Sequence, residues 1–119
     1  MALHFERAEF DRRIAAAREV MRREDLAAIL LFAPESHYYL TGYDTSGYVF
    51  FQCAVLPLAG SITLLTRRPD VAQARDTSTI GDIRVWYTAE DANPAADLAL
   101  ILREKGLAGK RLGVELWTY

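Results

Sequence analysis

The stretch from Pro34 to Leu56, PESHYYLTGYDTSGYVFFQCAVL, constrains this chain more than any other. It opens as a helix and closes as a run that only a covered strand accommodates. Pro34 suits the first turn of a helix, where a missing N–H costs nothing, and Gly42 can take the left-handed conformation that stops one. Tyr38, Tyr39 and Leu40 supply apolar surface between the two. From Tyr43 to Tyr48 turn formers are mixed with amphipathic rings, and Val49 to Leu56 is almost continuously apolar, as in a strand buried on both faces. Helical stub, ring-rich loop and buried strand form the unit around which the other elements are placed.

Upstream, Phe10, Ile14, Ala17 and Met21 recur at helical spacing, with Arg and Glu around them. This predicts an amphipathic helix over 7–23, with Arg22 and Arg23 in the last turn, where the helix dipole favours cations. LAAILLF, Leu26 to Phe32, is short and apolar throughout and predicts a central strand. Only Leu58, Ala59 and Gly60 separate the strand predicted over 48–57 from SITLLTR, Ser61 to Arg67. That connection is too short for a crossover, so the two form an antiparallel hairpin.

Arg68, Pro69 and Asp70 then enter a short helix with a body from Val71 to Arg75. DIRVWY, Asp82 to Tyr87, alternates Ile83, Val85 and Tyr87 against Arg84 and Trp86, which predicts a fourth strand. Asn93 caps a helix with Pro94 at its first position. Leu98, Ile101, Leu102 and Lys105 share one side of that helix, and Gly106 ends it. RLGVEL, Arg111 to Leu116, predicts a fifth strand. The expected fold is α/β: a three-layer, five-stranded mixed sheet whose second strand is antiparallel, with helices on both faces and one domain over 1–119. No internal repeat is present. A strand at the very end with no covering helix makes a longer parent chain the expectation.

Charge and composition exclude several functions. Fourteen basic against sixteen acidic residues give no electrostatic footprint for nucleic acid or an anionic membrane. No stretch approaches the ~18 apolar residues of a membrane span, and MALHFERAEFDRR lacks a signal-peptide core, so a cytoplasmic protein is expected. Cys53 is the only cysteine and lies in the most apolar run, where an inert core thiol is expected. His4 and His37 lack the spacing of a metal site, and His37 reads as a surface or helix-end histidine. Glu90 and Asp91 read as a solvated loop, and Thr45 and Ser46 as turn hydroxyls without a base. No glycine-rich phosphate loop occurs. No catalytic or metal-binding residue is therefore assigned within the chain. Tyr43 and Tyr48 are expected in an exposed contact surface, with Tyr39 and Phe51 in the core.

These elements, with P-x-x-x-Y-Y-L-T-G-Y (Pro34 to Tyr43), LLTRRPD (Leu64 to Asp70) and GKRLGVEL (Gly109 to Leu116), resemble the N-terminal domain of the creatinase, prolidase and aminopeptidase P family across essentially the whole chain. The resemblance implies a ribonuclease H-like mixed sheet and a catalytic pita-bread domain after residue 119. In the peptidases that domain holds two divalent metals (Mn, Co or Zn). It further implies a homodimer acting on a small peptide or amide, in which the loop from Tyr43 to Phe50 reaches the partner's pocket. Tyr43, Asp44, Tyr48 and Phe50 are its candidate residues. An Xaa-Pro peptidase is the leading expectation. Ser36 stands where many prolidases have Asn, and no histidine lies between Tyr43 and Phe50. A creatinase-like C–N hydrolase and a stand-alone binding module therefore stay open.

Overall fold

The computed structural model describes residues 6–44, 50–87 and 90–115. Helix α1 (Arg7–Arg23) turns Phe10 and Met21 inward, while Glu9 on its outer side pairs with Arg12 and, at 2.9 Å, with Arg13. The helix ends in a Schellman turn: the Leu26 N–H bonds the Met21 carbonyl and the Asp25 N–H bonds the Arg22 carbonyl. Asp25 takes φ 59°, a position that glycine usually fills. Strand β1 (Ala28–Leu31) leads to α2 (Pro34–Thr41), which Pro34 opens and Gly42 stops at φ 82°.

Strands β2 (Cys53–Pro57) and β3 (Thr63–Arg67) form the expected hairpin. A single 3-10 turn (Arg68–Asp70) then enters α3 (Val71–Thr77), followed by β4 (Asp82–Trp86). Helix α4 (Pro94–Glu104) is capped by the Asn93 side chain, which accepts the Ala96 N–H at 3.2 Å, and β5 (Leu112–Val114) completes the sheet.

The strand order is β4-β3-β2-β1-β5, with β2 antiparallel to both neighbours and the β1–β5 and β3–β4 pairs parallel. One antiparallel strand in an otherwise parallel sheet is what the short hairpin connection predicts. Every residue of the central strand β2 is buried. Its alternate side chains feed two cores. Ala54 and Leu56 pack with Met21, Leu40, Leu64 and Ala74 beneath α1, α2 and α3, whereas Cys53 and Val55 pack with Leu30, Leu65, Leu98 and Ile101 beneath α4.

In β2, β5 and β4 a boundary or facing near the site differs from expectation. The ladder of β2 begins at Cys53, since the Phe51 carbonyl is taken by the Trp86 indole N–H at 2.9 Å rather than by a neighbouring strand; Tyr48 and Val49 lie outside the described residues. Strand β5 stops at Val114 because Glu115 serves another purpose, described below. In β4 the facing is reversed at its end: Trp86 is buried in the α4 core, and Tyr87, past the ladder, is 63% exposed.

Candidate functional site

Four strands end, and β2 begins, at one end of the sheet. This carboxyl end gathers the start of α2, the residues flanking 45–49, the 3-10 turn, Trp86 and Glu115, and open α/β sheets place ligand-contacting loops there.

Tyr43, expected to be exposed, is fully buried, at 0%. The left-handed Gly42 sends the chain back over the sheet, and a buried phenol needs a hydrogen-bond partner. It finds one: the Tyr43 hydroxyl donates to Gln52 Oε1, which also accepts from Thr66 Oγ1 at 2.8 Å. The Tyr43 N–H is held by Thr41 Oγ1 at 3.2 Å, and the Thr79 N–H bonds the Thr41 carbonyl at 2.8 Å. Asp44 is exposed, yet its N–H is fixed by Thr77 Oγ1 at 3.0 Å. Tyr39, expected in the core, is 55% exposed instead, its ring 4.3 Å from the Arg13 guanidinium.

On the other side of 45–49, Phe50 is 45% exposed and lies over the Arg67 guanidinium, 3.5 Å from ring centroid to cation. Arg67 Nε lies 3.4 Å from Asp70 Oδ2, a charge pair without hydrogen-bond geometry. Phe51 stands edge-on to Phe32 and to Trp86 and is half-buried, close to its expected core position. The segment 45–49, which includes the candidate Tyr48, thus joins two anchored posts: Thr41–Asp44 on one side, Phe50–Gln52 on the other. Tyr48 itself lies outside the described residues.

His37 is not a surface residue. It is 1% exposed, stacks on the Tyr43 ring at 5.8 Å, and places Nε2 2.7 Å from the Leu31 carbonyl. A carbonyl only accepts, so Nε2 carries the proton; Nδ1 has no partner among the described residues. Burial pushes the imidazole pKa below its ordinary value, against the Leu31 hydrogen bond and the charges of Glu115 and Glu35, which raise it. The ring is therefore neutral at pH 7. Cys53 sits against the same Leu31 carbonyl, and burial pushes its thiol up to about 12, so the thiolate a nucleophile needs is not formed near neutrality.

Sequence reasoning did not anticipate Glu115. Its carboxylate accepts the N–H groups of Phe32 at 2.6 Å and Ala33 at 2.9 Å, and also the Ser36 hydroxyl. A carboxylate at the start of α2 satisfies orphan donors and complements the helix dipole. The partners are 79 to 83 residues apart, so no local spacing reveals them. The GVEL pattern and Ser36 were both visible, but nothing in the sequence joins them. Among the described residues no three His, Cys, Asp or Glu side chains converge as a metal site requires, and no helix is long and apolar enough to cross a membrane.

An open mixed five-stranded sheet with helices on both faces defines the class, an α/β domain. Residues 13–119 match the Creatinase/Prolidase N-terminal domain, and the chain belongs to that family. It is 26% identical over 98% of its length to an uncharacterized hydrolase/peptidase of Sinorhizobium fredii, and 27% identical over 100% to an ectoine hydrolase of Halomonas elongata. The chain spans 32% of each of those proteins. Its fold matches a prolidase from Thermococcus sibiricus with a TM-score of 0.78 at 21% identity, over 92% of this chain and 29% of that one.

Proposed function

We propose that this chain is the non-catalytic N-terminal domain of a dimeric cytoplasmic metallohydrolase, in the first instance an Xaa-Pro peptidase of the prolidase or aminopeptidase P kind. Catalysis is assigned to a pita-bread domain following residue 119, with two divalent metals (Mn, Co or Zn) held there. The described residues of this chain do not fit such a pair, since they bring no set of ligands together. This domain supplies dimer surface and the loop that enters the partner's substrate pocket, where it orients a small peptide. Asp44, Tyr48 and Phe50 are its reaching residues, and the buried Tyr43 is the post that fixes where the loop leaves the sheet.

The observation that carries this reading is the pair of posts. A buried Tyr43–Gln52–Thr66 network and the Trp86 bond to Phe51 hold both ends of a short segment while Asp44 and Phe50 stay exposed beside it. Fixed posts with Asp44 and Phe50 exposed on them suit a pocket wall. The likeness to a protein named for the hydrolysis of ectoine, not of a peptide, supports a second reading, a creatinase-like C–N hydrolase.

The test is a hydrolase screen on the intact parent with Xaa-Pro dipeptides, Xaa-Pro tripeptides, creatine and ectoine, each with Mn, Co or Zn. Residues 1–119 alone should turn over none of them. In the parent, Tyr48→Ala should lower turnover with metal content unchanged. Activity of the 119-residue chain by itself would overturn the assignment, and unaltered kinetics in Tyr48→Ala would remove the loop from the pocket. A stop codon directly after Tyr119 favours a stand-alone binding module instead.

A further inference from the structure

Arg67 closes β3 at the carboxyl end of the sheet and stands opposite Trp86 in the β3–β4 ladder. Its side chain and that of Asp70, three residues on, are both largely buried. A guanidinium beside a carboxylate in such a place ordinarily forms short, charge-assisted hydrogen bonds. This pair does not. Arg67 Nε lies 3.4 Å from Asp70 Oδ2, and neither atom has a hydrogen-bond partner among the described residues. Nor does the Asp70 side chain cap α3, which it precedes. A buried polar group without its bond costs free energy and calls for a compensating contact. For Arg67 that contact is the Phe50 ring, whose centroid lies 3.5 Å from the guanidinium carbon.

Phe50 stays exposed, although an aromatic ring gains by burial. Its main chain is tethered one residue on, where the Trp86 indole N–H holds the Phe51 carbonyl. Two adjoining strand ends therefore grip Phe50 at two points, β4 through the backbone and β3 through the ring. We infer that Arg67 is a positioning residue of this loop: acting through the Phe50 ring, it fixes the direction in which Phe50 meets the substrate. Holding the cation over the ring draws the guanidinium out of line with Asp70, which accounts for the forgone hydrogen bond. Asp70 supplies the opposite charge that keeps the cation in the interior. One face of the ring is taken by the cation, and the other packs on an apolar part of the substrate. Arginine suits this role better than lysine, because a guanidinium stacks on an aromatic face and is the more weakly hydrated cation.

The role assigned to Arg67 rests on the reading that the loop forms a pocket wall, and it names the group that aims one of the reaching residues. If Arg67 only neutralised Asp70, its removal would lower stability and leave the handling of substrate unchanged. The contact itself is tested in residues 1–119 without any activity. Protons above an aromatic face are shielded, so the Arg67 Nε–H resonance should lie upfield and move downfield in Phe50→Leu. An unmoved resonance would overturn the proposal.

In the parent, Arg67→Met alone strands the Asp70 charge, so the informative variant joins Arg67→Met to Asp70→Asn and removes both charges. The assay uses an Xaa-Pro dipeptide, or ectoine where the screen above selects it. The charge-free pair and Phe50→Leu should each lower kcat/KM about fivefold, chiefly through KM, with metal content unchanged. Adding the pair to Phe50→Leu should lower it no further, and Arg67→Lys should fall between wild type and the pair. Losses that multiply to about 25-fold would show Arg67 acting independently of the ring and would overturn the proposal. So would a pair that lowers the melting temperature but leaves KM unaltered while Phe50→Leu raises it. Unaltered kinetics in Phe50→Leu itself would instead fell the pocket-wall reading, and the role of Arg67 with it.

Discussion

The two ends of the sheet differ in how deeply the bonds that hold them are buried. At the carboxyl end a buried cluster joins the elements: Tyr43 and Thr66 share the Gln52 oxygen and His37 stacks on Tyr43, while the half-buried Glu115 is clasped by two main-chain N–H groups and the Ser36 hydroxyl. At the amino end, Arg18 reaches from α1 to the carbonyls of Pro57, at 3.0 Å, and Gly60 in the β2–β3 connection. Those acceptors are main-chain atoms that any sequence provides, and water can replace the bonds. Buried networks are costly unless every member is matched, so the carboxyl end is where identity matters residue by residue. At the amino end the Arg18 bonds are more exposed, so replacing that side chain is expected to cost less.

The largest expected effect that would break this contrast is at Tyr43. Tyr43→Ala should cost about 3–5 kcal/mol in chemical denaturation, because it opens a cavity and strands Gln52, whereas Tyr43→Phe should cost about 1–2 kcal/mol for the lost hydroxyl alone. No loss in Tyr43→Phe would mean that the polar network contributes nothing, and equal losses in the two variants would mean that the packing of the ring contributes nothing. Next is the pH profile. His37 has a folded pKa lowered from 6.5 by burial, so its neutral form is favoured in the fold. Its stabilising contribution is complete above the unfolded value and is lost as pH falls through 6.5 toward the folded one, with a limiting slope of about 1.4 kcal/mol per pH unit. Thermal melts from neutral to mildly acid pH should show this decline in the wild type and a flatter profile in His37→Gln, and parallel profiles would remove the histidine from the account. The smallest effect belongs to the other end: Arg18→Ala should cost about 1 kcal/mol, independent of pH across the same window. A loss as large as that of Tyr43→Ala would erase the distinction.

Where local chemistry decides, the fold was legible. Pro34, Gly42, Asn93 with Pro94, and Gly106 each do at a helix end what their side chains dictate. The three residues between two apolar runs required the hairpin. The facing of individual rings was less legible. In α2 the inward set is His37, Leu40 and Thr41, a proper helical stripe in which two of three members are polar. Tyr39 lies off that stripe, and its hydrophobicity drew attention away from its phase. Tyr43 lies beyond a left-handed residue, where helical periodicity no longer applies. In β4, an edge strand half-covered on both faces, alternation is a weak guide, and Trp86 rather than Tyr87 is inward. Asp25 took a glycine's conformation without a glycine to signal it. Of the candidate loop, sequence named residues that the structure places at the two posts, whereas the contacts building those posts are long-range and have no local signature.

The pairing of β1 with β5 sets a timetable for a chain made from its N-terminus. Strands β1 to β4 can assemble as the chain emerges, but β1 keeps an open flank until Leu112 to Val114 arrive. Helix α2 receives its carboxylate cap later still, from Glu115, 83 residues beyond Phe32. A ribosome that stalls shortly before that codon leaves a nearly complete sheet with β1 exposed as a sticky flank, so the stretch from Leu112 to Glu115 is what seals β1 and α2.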